Sequence, residues 1–146
     1  MGMGYVGFPL ALATHAQGYH VIAFDVDEKK VESLKAGKSY LKGIEDESVK
    51  TLLANGKFKA STDTNVLQEA DAILMCVPTP LNKYREPDMS YVEATTAMIA
   101  EVLRPGQLVI LESTTYPGTT EEMIKPMLEA GGLKCGKDFY IAYSPE

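Results

Sequence analysis

The sequence has few cysteines, a deficit of basic residues and no long apolar run. Two cysteines in 146 residues are too few for a disulfide framework or a cysteine-based metal site, and we therefore expect a reducing compartment, the cytoplasm. The net charge of -6 disfavours a nucleic-acid partner, which would need a basic face. No apolar run reaches about 18 residues, so neither a membrane span nor a membrane partner is predicted.

Short apolar runs alternate with helical patterns along the chain. The runs are YHVIAFD, FKAST, AILMCV, QLVILES and FYIAYSPE. This alternation is typical of a parallel sheet whose strands are joined by crossover helices. The sequence therefore predicts an α/β protein with a Rossmann, doubly wound parallel sheet and helices on both faces. Ser90 and Glu93 have the spacing of a capping box, which predicts that a helix starts there.

The first residues carry a glycine pattern that is known from phosphate-binding turns. Gly2, Gly4 and Gly7 follow the spacing G-x-G-x-x-G. In that motif the glycines permit a tight turn, close approach of a pyrophosphate and close packing of the next helix, whose first N–H groups face the phosphates. Such a turn normally follows a strand, and none precedes it here. We therefore expect a truncated sheet, with its first strand missing.

An acidic residue at the end of the run YHVIAFD extends this pattern. Asp25 lies about 20 residues beyond the turn, where an acid accepts hydrogen bonds from the adenosine ribose and repels a 2′-phosphate. The sequence therefore predicts a dinucleotide site that prefers NAD to NADP. Lys29 and Lys30 leave NADP open as an alternative, because a lysine could pair with the 2′-phosphate of NADP.

Two threonines follow neighbouring strands of the predicted sheet. Thr79 comes after AILMCV and Thr114 after QLVILES. Ligands of open α/β sheets lie outside the carboxyl ends of the strands, so we expect both threonines near the nicotinamide half of the cofactor. The alternative is that the threonines and prolines of VPTP and ESTTYPG only make turns.

Six motifs in one order point to a known family. GMGYVGFPLA, FDVDEKKV, VPTP, EPDMSYVEA, ESTTYPGTTEE and YSPE together resemble the N-terminal NAD-binding domain of the UDP-glucose/GDP-mannose dehydrogenase family, over the whole chain. The resemblance implies oxidation of a sugar C6 alcohol to a carboxylate by two NAD, through a thiohemiacetal and a thioester on a cysteine. REPD and STTYPGTTEE resemble the branch that oxidises UDP-N-acetylhexosamines, especially UDP-N-acetylglucosamine, for polysaccharide biosynthesis.

The resemblance also assigns roles to residues of this sequence. It implies Thr114 and Glu146 as catalytic residues, Thr114 beside the nicotinamide and Glu146 as the acid of the aldehyde and hydrolysis steps. The implied cofactor-binding residues are Gly2, Met3, Gly4, Tyr5, Val6 and Gly7 at the pyrophosphate, Asp25 and Lys30 at the ribose, and Val77, Pro78, Thr79 and Thr114 along the cofactor path. No metal is implied.

The family's nucleophilic cysteine, its central dimerisation domain and its C-terminal UDP-sugar-binding domain have no counterpart in these 146 residues. The resemblance therefore predicts that residues 1–146 are the NAD-binding fragment of a homo-oligomeric parent, and that they are inactive alone.

Other functions stay open. Within the family the substrate could be UDP-glucose or UDP-N-acetylmannosamine. A β-hydroxyacid-type dehydrogenase shares the glycine turn, although it does not explain VPTP or STTYPG. A non-catalytic nucleotide-binding module is the alternative from another class, and a nucleophilic cysteine in the downstream coding sequence would exclude it.

Overall fold

The computed structural model describes residues 1–144, along which helices and strands alternate as predicted. The elements are α1 (Gly7–Ala16), β1 (Val21–Phe24), α2 (Glu28–Lys35), α3 (Asp46–Leu53), β2 (Phe58–Ser61), a 3₁₀ helix (Thr64–Glu69), β3 (Ala72–Met75), α4 (Ser90–Val102), β4 (Leu108–Leu111), a π-helical segment (Thr119–Ile124), α5 (Lys125–Glu129) and β5 (Tyr140–Tyr143). No described helix is both long enough and apolar enough to cross a membrane.

All strand pairs among residues 1–144 are parallel, and they form two sheets. In one sheet β1 pairs with β2, with Val21 opposite Phe58. In the other sheet β4 lies between β3 and β5, with Val109 opposite both Ile73 and Ile141. Parallel neighbours need a crossover connection, and helices lie between each pair along the chain. The predicted α/β class with Rossmann-like parallel strands is confirmed, with the paired strands in two sheets.

The chain divides into two compact units, Met1–Val66 and Leu67–Glu146. The first unit has a core to which the glycine turn, both strands and three helices contribute. Its buried members are Met3, Phe8, Ala11, Ala23, Val31, Leu34, Val49, Leu52, Phe58 and Ala60. Because Met3 belongs to this core, the turn around it is anchored by apolar packing.

The second unit is built on the apolar strands β3 and β4. Ile73, Met75, Val109 and Leu111 are buried, and because they alternate along the strands and lie opposite one another, they share one face of the sheet. α4 contributes the buried side chains of its apolar positions, including Ile99.

The start of α4 differs from the predicted capping box. Ser90 is the first helical residue, and Met89 before it makes no side-chain capping bond. Instead Asp88 Oδ1 accepts the Ser90 N–H at 3.0 Å. That hydrogen bond also holds the pKa of Asp88 below its usual value. The predicted Ser90–Glu93 box is wrong because the carboxylate two residues upstream already provides the acceptor.

A buried glutamine fastens the connection before β3 to the start of β4. The Gln107 side chain is fully buried. Its Nε2 donates to the carbonyls of Leu67 at 2.8 Å and Ala70 at 2.7 Å. Its Oε1 accepts the Arg104 N–H at 2.9 Å. One side chain therefore satisfies three backbone groups.

Substituting Gln107→Leu is expected to lower the free energy of unfolding by about 1–3 kcal/mol. The reason is that the Arg104 N–H loses its acceptor while the Leu67 carbonyl keeps only the longer bond from the Ala70 N–H at 3.2 Å. An unsatisfied polar group of this kind costs free energy even though the apolar volume is kept. Urea unfolding measures the change, with Gln68→Leu at a neighbouring exposed position as the control. Equal unfolding free energies for the two variants would contradict this assignment.

Candidate functional site

The glycine turn is tied to the end of β1 and to the start of α1. Gly2 has a φ of 85°, a conformation that side chains other than that of glycine rarely adopt. Its N–H donates to the carbonyl of Phe24 at 2.9 Å, and the Phe8 N–H donates to the Gly4 carbonyl at 3.1 Å. The residues between these contacts form a short, closed bend.

Both backbone polar groups of Met3 are held by side chains from later in the chain. The Met3 N–H donates to Asp25 Oδ2 at 2.7 Å, and the Tyr40 hydroxyl donates to the Met3 carbonyl at 2.6 Å. Met3 is 3% exposed, so water has little access to either group. The middle of the turn therefore has one backbone orientation.

Gly4 leaves room for a ligand. A Cβ built on Gly4 would meet no heavy atom within 4 Å, and the Gly4 N–H donates to no group of residues 1–144. Val6, which precedes α1, provides no side-chain cap, so the first N–H groups of that helix lack a capping side chain. A free backbone donor beside open space at a helix N-terminus fits a pyrophosphate.

Asp25 and Lys30, the predicted ribose-binding residues, lie together beside the turn. Asp25 is 5% exposed. Its carboxylate accepts from the Met3 N–H, from the Asp27 N–H at 2.9 Å and from Lys30 Nζ at 3.3 Å. A carboxylate offers about four acceptor positions, so about one remains for a ribose hydroxyl. Asp25 is thus a structural anchor of the turn as well as a candidate ribose ligand.

The predicted residues after β3 and β4 also meet. The Thr79 hydroxyl donates to the Thr114 carbonyl at 2.7 Å, and the buried Ser113 hydroxyl donates to the Val77 carbonyl at 2.5 Å. These bonds join the two segments just beyond the carboxyl ends of their strands. Thr114 itself is exposed, so its side chain is accessible at the edge where open α/β sheets bind ligands.

Comparison with known proteins places this geometry in a family. A model described as "UDP-glucose/GDP-mannose dehydrogenase family, NAD binding domain" matches residues 1–146. The chain belongs to this family. The resemblance that the six motifs indicated is confirmed, and NAD is the cofactor of this domain family, as predicted. Because the chain belongs to this family, the alternative of a β-hydroxyacid-type dehydrogenase is rejected.

Relatives in the UDP-glucose/GDP-mannose dehydrogenase family include enzymes named for acetylated sugars. The chain is 42% identical over 154 residues to the UDP-N-acetyl-D-mannosamine dehydrogenase of Escherichia coli K12, with 100% of the chain and 36% of that protein covered. It is 34% identical over 148 residues to the UDP-N-acetyl-D-glucosamine 6-dehydrogenase of Salmonella typhi, with 100% of the chain and 34% of that protein covered.

Solved structures of the family have the same fold. A ternary complex of GDP-mannose dehydrogenase from Pseudomonas aeruginosa matches with a TM-score of 0.93 at 30% identity, and the match covers 99% of this chain and 35% of that one. The chain therefore spans about a third of the length of the relatives that it matches.

Two polar residues of this family domain were not identified from the sequence. Tyr40 could not be found from local pattern, because its partner Met3 lies 37 residues away. Ser113 had a weak signal, a hydroxyl directly after the apolar run of β4. The predicted catalytic acid Glu146 lies outside the described residues.

Proposed function

We propose that the turn from Gly2 to Gly7 binds the pyrophosphate of NAD, with Met3, Tyr5 and Val6 as its intervening residues. The observation that carries this proposal is the free N–H of Gly4 beside open space. The uncapped start of α1 adds the positive end of a helix dipole, which favours an anion.

We propose further that Asp25 and Lys30 bind the adenosine ribose. Asp25 retains about one free acceptor position, and the ammonium group of Lys30 lies at the same carboxylate. A ribose hydroxyl can therefore donate to Asp25 and accept from Lys30. The buried negative charge of Asp25 opposes a 2′-phosphate, which supports NAD over NADP.

For the nicotinamide half we propose Val77, Pro78, Thr79 and Thr114. Bound NAD supplies a hydride acceptor, and these residues line and orient the path to it. The hydrogen bond from Thr79 to the Thr114 carbonyl supports this proposal because it keeps both segments together at the ligand-binding edge. Thr114 then lies near the reacting carbon, and Glu146 is proposed as the acid of the later steps.

For the whole protein we propose oxidation of a UDP-N-acetylhexosamine to its uronic acid with two NAD. The chain spans about a third of its relatives, so the nucleophile, the dimerisation domain and most sugar contacts are assigned to other parts of a homo-oligomeric parent. Cys76 and Cys135 are not joined in a disulfide, which is compatible with the cytoplasm. UDP-N-acetylglucosamine is the favoured substrate on the motifs REPD and STTYPGTTEE. UDP-N-acetylmannosamine is the second candidate, because a 42% identical relative carries that name.

NADH formation by the full-length protein tests the substrate. We expect kcat/KM for UDP-N-acetylglucosamine to exceed that for UDP-glucose by at least about tenfold, because a site with donors and acceptors for an acetamido group leaves them unpaired with the smaller sugar. Absorbance of NADH with UDP-N-acetylglucosamine, UDP-N-acetylmannosamine and UDP-glucose compares the three sugars.

Each outcome of that comparison is informative. If UDP-N-acetylmannosamine is turned over faster than UDP-N-acetylglucosamine, it becomes the favoured substrate. If UDP-glucose is turned over fastest, the protein does not belong to the branch that oxidises acetylated sugars. NAD binding without NADH formation from any of the three would favour the non-catalytic nucleotide-binding module.

A further inference from the structure

Tyr40 lies in a segment that several contacts hold in place. Gly37 ends α2 with a φ of 71°, and the Lys38 N–H returns to the Ser33 carbonyl at 2.9 Å. The Ser39 N–H then donates to Asp46 at the start of α3, at 2.7 Å. The residue before Tyr40 is thus fastened to a helix, which limits where the Tyr40 ring can lie.

The ring of Tyr40 also packs on the core. Its centroid lies 5.4 Å from that of Phe8, a fully buried residue in the first turn of α1. A contact of this kind between aromatic rings restrains the orientation of both. The Tyr40 hydroxyl therefore reaches the Met3 carbonyl from a ring that is already oriented.

The hydroxyl of Tyr40 acts as a donor over the whole working pH range. Burial, together with the negative charges of Asp25 and Asp27, raises the pKa of Tyr40 far above its usual value. The Met3 carbonyl can only accept. The bond at 2.6 Å is therefore a persistent O–H donation to a backbone oxygen of the glycine turn.

This bond sets the direction of the Gly4 N–H. A trans peptide is planar, with its C=O and N–H pointing in opposite directions, and no cis peptide occurs among residues 1–144. When Tyr40 holds the Met3 carbonyl, the Gly4 N–H must point away from Tyr40. Gly4 has the backbone freedom of glycine, so without this contact the peptide between Met3 and Gly4 can rotate.

We infer that Tyr40 is a positioning residue for the diphosphate of the dinucleotide, acting through the Met3–Gly4 peptide. Tyr40 holds the carbonyl on one side, so the N–H on the other side is presented to the phosphate oxygens before the ligand arrives. Asp25 holds the preceding N–H of Met3, and the two side chains together preorganise the turn. The inference rests on the proposed pyrophosphate site at Gly4.

The test is Tyr40→Phe in the full-length protein, which removes the hydroxyl and keeps the ring on Phe8. We expect the Kd for NAD, measured by calorimetry, to rise about fivefold, the equivalent of losing about one neutral hydrogen bond. The KM for NAD should rise by a similar factor, because the variant binds the diphosphate of NAD less tightly. Adenosine, which lacks the diphosphate, should bind the variant and the wild type equally. Tyr19→Phe, at an exposed tyrosine of the same unit, is the matched control.

Two outcomes would overturn the inference. One is an unchanged Kd for NAD in Tyr40→Phe. The other is an equal loss of affinity for NAD and adenosine together with a lower melting temperature, which would make Tyr40 a structural residue only. Gly4→Ala separates this inference from the proposed function, because an unchanged Kd for NAD in Gly4→Ala would refute the proposed pyrophosphate site itself. A large loss in Gly4→Ala with no change in Tyr40→Phe rejects only the role of Tyr40.

Discussion

Gly4→Ala is expected to weaken NAD binding by about 5–150-fold without destabilising the protein. The backbone at Gly4 does not need a positive φ, and an added Cβ would contact no heavy atom within 4 Å. The methyl group would instead occupy the space that the pyrophosphate needs, and such overpacking costs about 1–3 kcal/mol. The binding loss is thus separated from the stability of the fold.

Calorimetry with NAD and thermal unfolding without NAD measure these two effects. Gly131→Ala is the matched control, because Gly131 also has open space at its Cβ and no positive φ, and it lies after α5 in the other unit. We expect the control to bind NAD like the wild type. If Gly4→Ala also binds NAD like the wild type, the pyrophosphate does not lie against this turn.

Asp25→Ala is expected to reduce both NAD affinity and stability. The Met3 and Asp27 N–H groups lose a charged acceptor, and Lys30 loses its ion-pair partner. Lost hydrogen bonds to a charged group cost about 1.5–3 kcal/mol each, so we expect the unfolding free energy to fall by roughly that amount or more. NAD affinity should fall at least about tenfold, because the ribose loses its acceptor as well.

The choice between dinucleotides gives a second measurement on Asp25. The wild type should bind NAD more tightly than NADP, and Asp25→Ala should narrow that ratio because it removes the charge that opposes the 2′-phosphate. Asp63→Ala is the control. Asp63 follows β2 and accepts a local N–H at 2.9 Å, but it is exposed. A wild type that binds NADP as tightly as NAD would contradict the ribose assignment.

Local sequence pattern was sufficient to predict the alternation of strands and helices and to nominate the residues of the candidate site. The runs VIAF, AILM and LVIL became β1, β3 and β4, because short, nearly continuous apolar runs are typical of strands in parallel sheets. The glycine spacing and the acid after β1 were readable for a similar reason, since a tight turn and a strand end depend on few neighbours.

Which groups hold these elements together was decided only by the tertiary structure. The hydrogen bonds of Met3 reach 22 residues to Asp25 and 37 residues to Tyr40, and no local pattern encodes such partners. The capping carboxylate of Asp88 was likewise not read correctly from the sequence. The physical reason is that propensity and periodicity describe the conformation of a segment, whereas a hydrogen bond of 2.6 Å between distant residues exists only once packing has oriented both of them.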